Sequence, residues 1–191
     1  MKYFNNDKLL ATSLIAIAVV FRMFPILPNF QPIMGIALFA GYVFSDNKKI
    51  AFLIPIIAML ASDIFLELFS TTLFGYHIGF HNTILFVYSA FLLVVLQANL
   101  FIKNIKFLTI LLNAIGGSII FFIVTNLGAW LFGSNIYNMP YDKSLTGFTE
   151  CFVAAIPFYK NSMISSVIFS FVIFGAYSLG EKFILKSKVN N

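Results

Sequence analysis

Between Ile50 and Phe69 the chain reads IAFLIPIIAMLASDIFLELF, an apolar run interrupted by two acids, Asp63 and Glu67. A run of about 20 apolar residues is the length that crosses a bilayer as a helix. Within the hydrocarbon, every backbone N–H and C=O must be satisfied inside its own segment or by a closed barrel. The acids sharpen the constraint, because an Asp at the centre of such a helix costs about 2.5–3.5 kcal/mol on insertion scales. Four residues apart, they lie one turn apart on one helix face. A chain that keeps both must turn that face toward protein or a wet cavity.

The rest of the chain obeys the same solvent. Six apolar runs are bounded by charged or polar breaks, at Leu9–Phe24, Gln31–Phe44, Ile50–Phe69, Thr83–Leu100, Phe107–Phe132 and Ser162–Ile184. They lack the apolar/polar alternation of barrel strands. Only 10% of the residues are charged and the mean hydropathy is +0.95, against about 25% charged in soluble domains. The expectation is an all-α membrane protein: a single domain over residues 1–191 forming a six-transmembrane-helix bundle.

Basic residues orient that bundle. With six crossings, one side carries Lys2, Lys8, Lys48, Lys49, Lys103, Lys106, Lys182, Lys186 and Lys188; the other carries Arg22, Lys143 and Lys160. The bias places both termini in the cytoplasm. The net charge of +5 is accounted for by topology, and the absence of a clustered basic patch argues against nucleic-acid binding. Ala16-Ile17-Ala18 resembles a signal-peptidase site but sits mid-run, so the first segment is read as a retained helix. The lone Cys151 excludes an intramolecular disulfide and a thiolate metal cluster.

Recognition elements concentrate on the outer side. The first outer connection holds Pro25, Pro28 and Pro32, which cannot continue a regular helix. The apolar run after it spans only roughly 18 Å at 1.5 Å per residue, short of a core about 30 Å thick. The Pro-rich loop is therefore expected to dip below the outer surface. Arg22 and Asp63 each stand 13 residues into their helices, roughly 20 Å from the inner face, so the two should be level and paired. Glu67 lies one turn further out, with no cation evident beside it. His77 and His81 have the i, i+4 spacing of some metal sites, but Gly75 and Gly79 break the helix and no third ligand follows. They are read as pocket rim or interfacial histidines, and no metal or cofactor is expected.

The connection from 133 to 161 is expected as a long outer loop between helices 5 and 6, its second half a short interfacial helix ended by Pro157. Just before it, Asn126 and Trp130 share a helix face. The expected substrate-binding residues are Arg22, Asn29, Asp63, Glu67, Asn126, Trp130, Tyr137 and Tyr141, a set suited to a small, polar, ring-containing ligand. Small residues at Ala37 and Gly41, and at Thr12 and Ala16, mark close helix contacts. No nucleophile elbow, triad or phosphate loop is present, so no enzymatic activity is expected.

Several of these patterns together resemble a known group. Arg22-x-x-Pro25 with Asn29-Phe30-x-Pro32, Ala37-Leu38-Phe39-Ala40-Gly41, Ser62-Asp63, Asn126 with Trp130, and Ala155-Ile156-Pro157-Phe158 are similar to a bacterial membrane family of unknown function often linked to the substrate-binding S components of energy-coupling-factor vitamin transporters. That resemblance implies residence in the bacterial inner membrane and capture of a water-soluble vitamin or related compound from outside. It further implies a partnership with a coupling transmembrane subunit and its ATPases, for which Thr12 and Ala16 are the nearest match to the docking stripe. The competing expectation is a non-transporting scaffold or assembly subunit of an envelope complex.

Overall fold

A computed structural model describes residues 6–24 and 27–189, with side chains over 8–24 and 27–183. Pro25, Lys2 and the side chains of Lys186 and Lys188, used in the sequence reading, lie outside them. The described residues form six helices and no strand: α1 (Asn6–Arg22), α2 (Ile33–Val43), α3 (Lys48–Phe74), α4 (Ile84–Phe101), α5 (Phe107–Phe132) and α6 (Leu145–Val189). Of these, α3, α4, α5 and α6 are long and apolar enough to cross a membrane, as expected of a multi-pass membrane protein. Their outward faces carry large apolar side chains such as Leu68, Phe101 and Phe107, each about two-thirds exposed, a surface suited to lipid.

The shortest helix organises the bundle. Helix α2 touches all five others, and Met34 to Gly41 are buried without interruption; a helix apolar all round belongs inside. Gly41 lets α4 approach so closely that a Cβ there would collide with the Val95 carbonyl, the close contact expected of the Ala37/Gly41 face. On α1 the buried stripe is Ala11, Ile15, Ala18, Val19 and Arg22, spaced as one helix face. Thr12 is half-buried and Ala16 is exposed, so that small-residue pair lies off this stripe.

Two boundaries differ from expectation. Helix α3 runs five residues past Phe69 to Phe74 and stops at Gly75, whose left-handed φ of 79° and N–H bond to Thr71 O form a glycine C-cap. The larger difference is α6. The expected loop from 133 to 161 is only 133–144, and the helix then runs unbroken for 45 residues with Pro157 inside it. Its partner explains why. Phe148 packs edge-on to Trp130, Phe152 edge-on to Phe122, Ser166 Oγ donates to the Ala114 carbonyl at 2.8 Å, and Phe171 stacks on Phe107. Residues 145–171 thus lie antiparallel along all of α5, and that packing offsets the single backbone bond, to the Val153 carbonyl, that Pro157 cannot donate.

Candidate binding cavity

Helices α1, α3 and α5 end, and α2 and α4 begin, at the same end of the bundle, around a cavity of about 510 Å³. The lengths create it. Helices α1 and α2 span roughly 26 Å and 17 Å at 1.5 Å per residue, whereas α3, α5 and α6 continue past the turn that joins them. The α1–α2 turn is held down against α6: Asn161 Nδ2 donates to the Pro28 carbonyl at 3.0 Å and Ser162 Oγ to the Asn29 carbonyl at 3.4 Å. Phe30 packs on Phe169. Asn29 takes the left-handed conformation, φ 56°, which Asn tolerates better than most residues.

One wall carries the buried charge pair. Arg22 donates through one terminal guanidinium nitrogen to Ser62 and through the other to Asp63, and both charged residues are almost fully buried. The second Asp63 oxygen accepts from the Tyr88 hydroxyl at 2.6 Å. Helices α1, α3 and α4 are thereby joined by one fully bonded carboxylate, as a charge in an apolar bundle requires. The Arg22 Nε–H is the exception: it is buried and has no protein partner.

The roof is the connection from 75 to 83. Ser70 donates to the Ile78 carbonyl at 3.0 Å and accepts from its N–H at 2.8 Å. One turn earlier, Glu67 accepts from the Phe80 N–H at 2.8 Å and contacts His77 Nε2 at 3.1 Å. So Glu67, expected to stand without a cation, has an imidazole and a backbone donor. Gly79 sits against it with no room for a Cβ. His77, Ile78, Phe80 and His81 line the cavity beneath. Partial burial pushes the His81 imidazole below its ordinary value, against the opposing pull of the Asp63 charge. His81 Nδ1 lies 2.9 Å from the Thr83 hydroxyl. Among the described residues no three His, Cys, Asp or Glu side chains converge as metal ligands.

Arg22, Asn29, Asp63 and Asn126 all line this cavity. Glu67 latches its roof from outside. Trp130 lies above it, donating to the Asp142 carbonyl at 2.9 Å with Lys143 over its ring. Tyr137 is on the exposed 133–144 turn, and Tyr141, its phenol raised by burial and by the nearby Cys151 thiol, packs at the start of α6. Sequence reasoning missed Gln31, Thr83, Thr125, Ser162 and Ser165, which add to the polar lining. The serines had a signal: Ser162, Ser165, Ser166 and Ser170 form a polar stripe at helical spacing within an apolar run.

The four long apolar helices are those of a multi-pass membrane protein, with a recess of mixed polar and apolar lining at one end of the bundle. The model of a family of unknown function, DUF6580, matches residues 2–187, and the chain belongs to that family. No curated protein and no solved structure matches the chain.

Proposed function

We propose that the chain is a substrate-binding membrane subunit for uptake of a small water-soluble vitamin or related compound. The observation that carries this reading is the cavity: about 510 Å³, within the range of small-molecule sites, with amide, hydroxyl, imidazole and guanidinium groups converging inside an otherwise apolar bundle. Thr125 and Asn126 each use one bond on the α5 backbone and Ser162 one on the Asn29 carbonyl, and these side chains keep further donor or acceptor capacity for a ligand. The lysine bias supports six crossings with cytoplasmic termini, which turns the cavity outward in a bacterial inner membrane. The sequence likeness to S components favours release inward driven by a coupling subunit and its ATPases. One observation favours the competing scaffold reading: Arg22, Asp63 and Tyr88 already tie three helices together without a ligand.

Native mass spectrometry of the purified chain separates the two. A co-purifying small molecule, whose bound fraction falls at least tenfold in N126A while the unfolding temperature holds, is the expected result. No bound molecule, together with normal vitamin uptake in cells lacking the protein, would sink the proposal.

A further inference from the structure

The main cavity has an annex. A second space of about 140 Å³ lies in the seam between α5 and α6, and it shares Asn29, Phe121, Thr125, Asn126 and Ser162 with the first. The two are therefore neighbouring compartments meeting at Asn126. Beyond that junction the lining changes character to Phe122, Ala155, Phe158 and Tyr159. Phe122 and Tyr159 face each other across the seam with ring centroids 4.7 Å apart and tilted by 48°. The annex lies beside the turn of α6 that Pro157 interrupts, where the helix lacks one backbone bond and Ala155 leaves room.

Size and chemistry specify an occupant. An apolar protein cavity of about 150 Å³ holds one benzene, so the annex, at about 140 Å³, matches one ring better than a fused pair. Aromatic walls favour a ring through tilted and edge contacts at centroid distances of about 4.5–7 Å. In the main compartment the two charges, Arg22 and Asp63, neutralise each other. Among the described residues, the other titratable side chains that line the two spaces are the His77 and His81 imidazoles and the Tyr159 phenol. What the charge pair leaves over is a donor, the buried Nε–H of Arg22, and a buried donor without a partner is costly. A ligand group that accepts a hydrogen bond from Arg22 removes the cost; a net charge on the ligand would meet no unpaired side-chain charge other than a protonated imidazole. Resting on the uptake reading above, we infer that the ligand is an uncharged, single-ring molecule carrying a hydrogen-bond acceptor, its ring in the α5–α6 annex and its acceptor in the main compartment with Arg22.

The test is calorimetric binding to the full-length chain in nanodiscs with three probes: 3-phenylpropionamide, propionamide and 3-(2-naphthyl)propionamide. The first should bind at least tenfold tighter than either of the others, and A155F, which fills the annex, should abolish that preference. Equal binding of phenylpropionamide and propionamide, or undiminished binding of the naphthyl probe, overturns the annex assignment while leaving the cavity a small-molecule site. If none of the probes binds, the molecule that co-purifies decides: one lacking a ring or an acceptor overturns the inference, and one carrying both, uncharged, upholds it. If no probe binds and nothing co-purifies, the inference falls, and vitamin uptake in cells lacking the protein decides the uptake reading separately.

Discussion

Asp63 and Arg22 meet inside the bundle with their charges mutually satisfied, one at the C-terminus of α1 and the other 11 residues before the end of α3. Removing one member of such a pair leaves an uncompensated buried charge, at a cost of about 3–5 kcal/mol, whereas replacing both with apolar groups is often near neutral. R22M and D63L should each lower stability by about that amount, and the double variant R22M/D63L should recover most of the loss. A double-mutant cycle on thermal unfolding in detergent measures it. Additive losses would show that the two side chains do not depend on each other.

The same pair shows how far the sequence could be read. Counting residues from the inner ends of two apolar runs placed Arg22 and Asp63 level, because helical rise is fixed and the membrane removes alternatives to helix. The short second run, with Pro28 and Pro32 before it, likewise implied a sunken α1–α2 turn. What could not be read were features set by partners distant in sequence. Pro157 reads as a break, and only α5 alongside explains the continuous α6. The role of Glu67 depends on a Phe80 N–H and a His77 ring brought back by the Gly75 turn. The lining at Ser162 and Ser165 requires knowing which face of α6 meets the cavity.

Two glycines make a paired prediction. A Cβ at Gly41 meets the Val95 carbonyl, whereas one at Gly175, exposed on α6, meets nothing within 4 Å. G41A should destabilise by about 1–3 kcal/mol through overpacking. G175A should stabilise by about 0.5–1 kcal/mol, since Ala is the better helix former. Unfolding midpoints of the two variants moving in the same direction would contradict the closeness of the α2–α4 contact.

Hydrogen exchange should show the roof as a locally held element. Glu67 is exposed, so E67A is expected to leave global unfolding unchanged, while the N–H of Phe80, which donates to its carboxylate, exchanges faster. The Ile78 N–H, bonded to Ser70 Oγ, should be less affected. With a ligand bound, release should be faster in E67A because the 75–83 connection opens more often. Unchanged exchange at Phe80 would remove Glu67 from this role.

Acid should weaken the protein through His81. Its folded-state affinity for a proton lies below the ordinary value near 6.5, chiefly because burial disfavours the charged ring. Above that value the ring is neutral in both folded and unfolded chains and contributes no pH dependence. As the pH falls below about 6.5, the unfolded chain takes up the proton first, so the equilibrium shifts toward unfolding until the folded-state value is passed. H81Q removes the titrating group, and its unfolding free energy should therefore fall less than that of the wild type between pH 7 and pH 5. Parallel pH profiles for the two proteins would mean that His81 is as freely protonated in the cavity wall as in the unfolded chain.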